Sequence, residues 1–232
     1  MIQNNKPSQV DAKKLNCLLV MPRLVQNIGD GYSFPLGITY ISSSMKKAGY
    51  NVTTVNLNHL NGDVYEIIKR EIEDNKIDVV ATGGLSFQYN MVRHVIEAAK
   101  QVNSGIITIV GGGIISGDPK PAMIALEYAD FGVIGEGEIT INELCNSLDS
   151  SRNFSEIDGI IYKSGNSYMI TKPRTEMKNI DSIPWPDYKG FELDKYLENS
   201  PPGISGLNRQ KTVFMLSSRS CPFNCTFCFH ST

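Results

Sequence analysis

Over the first 150 residues, short runs that are apolar throughout alternate with longer stretches whose apolar residues recur every three or four positions. Cys17-Leu-Leu-Val-Met21, closed by Pro22, has the first pattern and predicts a buried strand. Leu36 to Ala48 has the second, with Ile38, Ile41, Met45 and Ala48 on one helical face and Gly49 as the stop. Asn51 to Leu57 predicts a second strand. Asp63 then caps a helix carrying Val64, Ile67, Ile68 and Ile72 on one side. Asp78 to Thr82 is a third strand, and Asn90 to Val102 a helix with Val92, Val95, Ile96 and Ala99 inward. Ile106 to Val110, almost entirely β-branched, is a fourth strand, followed by a short helix over Pro121 to Tyr128. Phe131 to Ile134 and Ile139 to Leu148 form the fifth pair.

Strands apolar on both faces, each followed by an amphipathic helix, imply a parallel sheet covered by helices on both sides. The expected fold class is therefore α/β, doubly wound and flavodoxin/Rossmann-like. It has a five-stranded parallel sheet of order 2-1-3-4-5, and ligands bind in the loops at the carboxyl ends of the strands.

The pattern changes after Leu148. Gly159 to Tyr162 and Ser167 to Thr171 flank Lys163-Ser-Gly-Asn166 and predict a hairpin. Ile183-Pro-Trp-Pro-Asp187 follows, predicting a stiff extended linker with Trp185 as an aromatic anchor. Residues 199–210 hold Pro201, Pro202, Gly203 and Gly206 and predict a loop, and Thr212 to Ser217 one more strand.

Composition narrows the function classes. The 232 residues are 41% hydrophobic and 20% charged, enough for a packed core. A net charge of −2 with no strongly basic segment gives no reason to expect a nucleic-acid partner. No apolar run approaches the length of a membrane span, and the polar start resembles no signal peptide, so no membrane association and a cytoplasmic location are expected. In a reducing compartment, five cysteines, three of them between residues 221 and 228, point to a metal site.

Those three, Cys221, Cys225 and Cys228, are spaced C-x3-C-x2-C. Three thiolates so close together can hold three irons of one 4Fe-4S cube, leaving the fourth iron open to another ligand. The alternatives are zinc, with His230 completing a Cys3His set, or thiols without metal. Cys17 and Cys145 fall in a strand and a helix, where small core residues are expected.

The loops after strands 3, 4 and 5 are rich in glycine: Gly83-Gly84-Leu85-Ser86, Gly111-Gly112-Gly113 and Gly135-Glu136-Gly137. Glycine there lets a ligand lie against the backbone, and three such loops at one sheet edge suit a flat or extended ligand. No G-x-G-x-x-G follows strand 1 and no P-loop is present, which disfavours a nucleotide. His59 is expected at the surface beside an edge strand, and His94 facing solvent or packed. Glu136 and Glu138 suit a helix N-terminus as well as a ligand.

The cysteine spacing, with Phe227 before the last cysteine, resembles the signature of the radical S-adenosylmethionine (SAM) superfamily. The rest of the chain resembles the cobalamin (B12)-binding domain that precedes the barrel in one of its families. Phe34-Pro-Leu-Gly37, Ala48-Gly-Tyr50, Val110-Gly-Gly-Gly113, Gly135-Glu-Gly-Glu-Ile-Thr140, Asp158-Gly-Ile-Ile-Tyr162 and Ile183-Pro-Trp-Pro-Asp187 occur in its order. That family includes B12-dependent methyltransferases and the anaerobic Mg-protoporphyrin monomethyl ester cyclase group. The resemblance implies three cofactors: cobalamin, a 4Fe-4S cluster on the three cysteines, and S-adenosylmethionine. It implies an enzyme acting on a small-molecule substrate, either by methyl transfer or by radical oxidation and ring closure. The glycine loops, with Leu85, Ser86 and Glu136, would approach the corrin or its nucleotide tail.

Two positions depart from the methionine synthase type of cobalamin domain. The loop after strand 1, Pro22 to Gly31, lacks the D-x-H-x-x-G histidine, and Gly83-Gly-Leu85 stands where S-x-L is usual. Cobalamin is thus expected without a protein histidine on cobalt, with Arg23 to Tyr32 near the cobalt face. The expected organisation is a cobalamin-binding-like domain over 13–150, a hairpin and Pro-rich linker over 151–210, and the start of a radical SAM domain over 211–232. A barrel needs on the order of 200 residues, so the chain is expected to be a truncated front portion, inactive by itself. The alternative is a cobalamin-binding or scaffold module without catalysis.

Overall fold

The computed structural model describes residues 14–150, 153–199, 213–221, 223, 225 and 226. β1 (Asn16–Met21) has five successive buried residues and forms the centre of the sheet. Cys17, Leu19 and Met21 face one hydrophobic cluster, and Leu18 and Val20 the other. This two-sided burial explains why the run is continuously apolar.

α1 (Leu36–Lys47) ends at Gly49, whose φ of +86° is the left-handed turn that glycine adopts freely. β2 (Asn51–Asn56) pairs parallel with β1. α2 (Val64–Asn75) starts on Asp63, whose carboxylate accepts from the Tyr65 and Glu66 amides. β3 (Val79–Gly83), α3 (Tyr89–Val102) and β4 (Ile107–Gly111) follow as the sequence predicts. The helix expected over Pro121 to Tyr128 is present as α5 (Pro119–Ala125), and an additional short helix, α4 (Gly113–Ser116), precedes it, with Asp118 and Pro119 making the break between them. β5 (Phe131–Val133) and α6 (Gly137–Ser150) complete the five units.

The sheet order is β2-β1-β3-β4-β5, all parallel, and then two further strands. β6 (Ile160–Ser164) and β7 (Ser167–Ile170) are the expected hairpin, joined by a two-residue turn with Gly165 at φ +60° in its first central position, as in a type II′ turn. The hairpin does not stand apart in a linker. β6 pairs antiparallel with β5, so the sheet has seven strands and runs past residue 150.

The proline-rich stretch is also sewn to the body. The Asp187 amide donates to Thr39 O at 3.0 Å. Its carboxylate accepts from Ser42 Oγ and Lys46 Nζ, both at 2.6 Å, and from the Gly190 amide at 3.0 Å. Gly190 and Phe191 carbonyls accept from Thr54 and Asn56 of β2. This corrects the inward face expected of α1. Thr39, Ser42, Ser43 and Met45 are buried, because the linker covers the small polar stripe, while Ala48 is exposed. The anchor is not Trp185, which is 73% exposed, but Phe191, fully buried, ahead of α7 (Leu193–Asn199). Residues 213–216, expected within a strand, have none, and no described strand lies beside them to share a ladder.

Burial would raise the Asp187 carboxyl, but the hydrogen bonds from Lys46, Ser42 and the Gly190 amide outweigh it and hold it below its ordinary value. A lowered folded-state pKa contributes stability above the unfolded value, about 3.9, that is lost as pH falls through the folded one. Asp187→Asn is expected to cost about 1–2 kcal/mol at neutral pH. That cost should shrink as pH falls below about 4, measured by urea denaturation across pH.

Candidate functional site

A cavity of ≈ 1180 Å³ opens above the carboxyl ends of β1, β3, β4 and β5. Ligand pockets commonly span about 300–1,000 Å³, so this one suits an unusually large ligand. Leu19, Ala81, Ile109 and Val133, from β1, β3, β4 and β5, form an apolar floor. Ile38, Ile41 and Ile141 of α1 and α6 wall one side, and the exposed Leu85 and Phe87 form an apolar rim.

All three glycine loops reach the cavity. Gly83, Gly84, Leu85, Gly111, Gly112, Gly113, Gly135, Glu136 and Gly137 line it; Ser86 is exposed and does not. Their glycines are required for different reasons. The loops after β3 and β4 lie on each other, backbone against backbone. The Gly84 amide donates to Gly111 O at 3.2 Å and the Ile114 amide to Gly84 O at 2.9 Å. A Cβ on Gly83 would stand 2.4 Å from Gly111 O, and one on Gly112 2.8 Å from Gly84 O. Gly137 gives the close approach of α6 to α1, where a Cβ would meet Ile41 Cδ1 at 2.7 Å. Gly135, at φ +72°, and Gly37 at the start of α1 border open space.

Glu136 and Glu138 are engaged by the protein itself. Glu136 Oε2 accepts from the Met177 amide at 2.7 Å and its Oε1 from Arg219 Nη1 at 3.2 Å. Glu138, 5% exposed, accepts from Arg219 Nη2 at 2.5 Å.

The loop after β1 contributes Pro22, Leu24 and Gly31 to Pro35 to the lining. Arg23 does not join them. Its guanidinium donates to Leu57, Leu60 and Gly62 carbonyls and pins the loop to the end of β2. No histidine lines the cavity among the described residues. His94 is exposed on α3. His59, expected at the surface, has a side chain only 4% exposed. Its Nε2 lies 2.9 Å from Tyr32 Oη and its Nδ1 3.1 Å from Glu192 Oε2. The α7 segment covers the β2 edge and buries it. Tyr32, whose Oη also accepts from Asn56, lines the cavity from within this network. Burial pushes its hydroxyl up to about 12, so it stays protonated at neutral pH.

Cys17 and Cys145 are fully buried. A hydrogen bond with Cys17, then burial, raises the Cys145 thiol well above its ordinary value, which makes it an inert core group. Cys221 is partly buried and Cys225 exposed, while Cys228 lies outside the described residues. Among the described residues no three Cys, His, Asp or Glu side chains gather as a metal site. Tyr32 belongs to the stretch expected near the cobalt face; Phe34, Ile38, Met177 and Leu216 to Ser220 were not expected here. Ile38 carried an apolar signal that read as core, and the others carried none.

The arrangement is that of a doubly wound α/β domain with a large open cavity on its carboxyl edge. The model of the B12 binding domain matches residues 27–145, and the chain belongs to that family. It is 29% identical over 230 residues to an uncharacterized methyltransferase, PH0819, of Pyrococcus horikoshii, covering 94% of this chain and 46% of the relative. It is 25% identical over 201 residues to the anaerobic magnesium-protoporphyrin IX monomethyl ester cyclase of Rubrivivax gelatinosus, covering 84% and 34%. The chain thus spans less than half the length of either relative. The solved structure of the cobalamin-dependent SAM radical enzyme OxsB, with aqua-cobalamin and SAM bound, superposes with a TM-score of 0.66 at 17% identity. The match covers 81% of this chain and 26% of that one, and at that identity the likeness is one of fold.

The two kinds of glycine separate experimentally. Gly83→Ala is expected to cost about 1–3 kcal/mol, because neither backbone can retreat. Gly37→Ala, with open space and a helical position, should change stability by less than about 1 kcal/mol and in the favourable direction. Chemical denaturation of both variants checks the contrast.

Proposed function

We propose that the cavity binds cobalamin without a histidine on cobalt, and that Cys221, Cys225 and Cys228 hold a 4Fe-4S cluster that takes S-adenosylmethionine. The single observation behind this reading is the cavity itself: larger than a usual pocket, floored by apolar side chains of four strands, edged by three glycine loops, and lacking any imidazole among its described lining. Those residues fit the group. Gly135 and Gly37 leave space beside the backbone, Leu85 and Phe87 offer apolar contact to a flat ring, and Leu24 and Tyr32 stand where a histidine loop would otherwise be. Tyr32, held protonated by its surroundings, can donate or accept a hydrogen bond but presents no base. Methylcobalamin, when bound, supplies a methyl group for transfer. The residues of this chain seat it, exclude water from one side and leave it reachable from residues 216–221.

The activity proposed for the whole protein is cobalamin-dependent radical SAM methyl transfer to a small molecule, in line with the name of the Pyrococcus relative. Radical oxidation with ring closure is the second reading, favoured by the cyclase relative. Within the cavity Glu136 and Glu138 are paired with Arg219, while Glu176 and Lys178 also reach its lining. Residues 14–199 alone are proposed to bind and not to turn over. A cytoplasmic location is proposed, where a reducing milieu would keep Cys221, Cys225 and Cys228 available as metal ligands; no described helix is long and apolar enough to cross a membrane.

Titration of the purified chain with hydroxocobalamin is expected to shift the corrin absorption bands and to give co-elution on gel filtration. No binding at tens of micromolar would sink the cobalamin reading. After anaerobic reconstitution with iron and sulfide, wild type should bind about four irons by elemental analysis. Replacing any one of Cys221, Cys225 and Cys228 with alanine should lower that yield, and one zinc per chain in place of iron would refute the cluster.

A further inference from the structure

We infer that Arg219 is a positioning residue that ties the approach to the cysteine loop onto the mouth of the cavity, so that cofactor seat and cluster loop keep one fixed relation. The inference rests on the cobalamin reading for its consequence, though not for its geometry.

Arg219 stands two positions before Cys221. Its guanidinium forks between Glu136 Oε1 at 3.2 Å and Glu138 Oε1 at 2.5 Å. The same group lies 5.4 Å above the Tyr40 ring on α1. The side chain is 20% exposed although residues 213–216 beside it are exposed. A second tie sits upstream, where Tyr188 Oη donates to Phe214 O at 2.7 Å. Leu216 to Ser218 lie between these two anchors, and with Arg219 and Ser220 they line the cavity. Directly after Arg219, Ser220 takes φ +64°, so the chain turns sharply as it enters the cysteine loop.

Charge explains why the contact is an arginine. Glu136 and Glu138 sit two residues apart at the start of α6, and Glu138 is buried. Two carboxylates this close repel each other unless a cation stands between them. A guanidinium offers two parallel donor edges, whereas an ammonium is a point charge. The remaining oxygen, Glu136 Oε2, takes the Met177 amide. Both carboxylates belong to the Gly135–Gly137 loop at the cavity edge or its next residue, so anything that displaces that loop also moves Arg219 and the entry to Cys221. A ligand that fills the cavity would meet the segment that Arg219 pins, because Leu216 to Ser220 line it.

The test compares wild type, Arg219→Lys, Arg219→Ala and the double variant Arg219→Ala with Glu138→Gln, all as the 232-residue chain. The double variant removes the buried unpaired charge that could by itself unfold Arg219→Ala. Amide hydrogen exchange without ligand is read first. Residues 214–221 should exchange about ten- to a hundredfold faster in Arg219→Ala and in the double variant, as loss of a charged hydrogen-bond pair implies. The β1–β5 strands should be unchanged in the double variant, and Arg219→Lys should fall between. Hydroxocobalamin release, followed by displacement and visible absorbance, should speed up about tenfold in the double variant. Unchanged exchange at 214–221, or equal loosening of the whole sheet in the double variant, overturns the tether. Faster exchange with unchanged cobalamin release overturns its role over the cavity. If hydroxocobalamin binds none of the proteins, the cofactor reading fails, while exchange still decides whether Arg219 is the tether.

Discussion

The structure depends on the contact of two loops backbone to backbone. Gly83 and Gly84 lie on Gly111 and Gly112 so closely that a single added methyl group would overlap a carbonyl oxygen. That contact brings the ends of β3 and β4 level with each other and lets α4 start at Gly113 without a linker. With the two loops folded into one another, neither rises over the sheet edge, and the space above β1, β3, β4 and β5 stays open. A parallel sheet always has an edge where loops diverge. Here the divergence is suppressed on one side and the cavity gains its breadth.

The order of the first five strands was legible because each strand is buried on both faces and each helix keeps its period. The apolar run of Cys17 to Met21 has no other reading once Pro22 closes it. The glycines were legible as a ligand edge, yet for half of them the cause is packing. Gly83 and Gly112 face another backbone, while Gly135 and Gly37 face open space. Glycine in a sequence reports that a side chain is forbidden and does not report what forbids it.

What was not legible depended on chain brought in from far along the sequence. Thr39, Ser42 and Ser43 are polar and became the buried face of α1 because Asp187, some 145 positions away in the case of Ser42, supplies their partner. His59 is buried because Glu192 and the α7 region cover the end of β2. Trp185 stays in solvent while Phe191, unremarkable in sequence, fills the core. The Arg219 contact with Glu136 and Glu138 spans more than 80 positions and leaves no local pattern. Local periodicity carries the sheet, and long-range polar pairing carries the cavity wall.

A seat built from main chain resists evolutionary drift. At the glycines of the three loops along the cavity edge, no side chain is available to retune the fit of a ligand, whereas the floor, wall and rim are side chains that substitution can change. Selection can therefore rework the residues that choose a substrate while the docking edge stays constant. Relatives at 29% and 25% identity, named for a methyltransferase and a ring-forming cyclase, can share this front architecture and still diverge in chemistry.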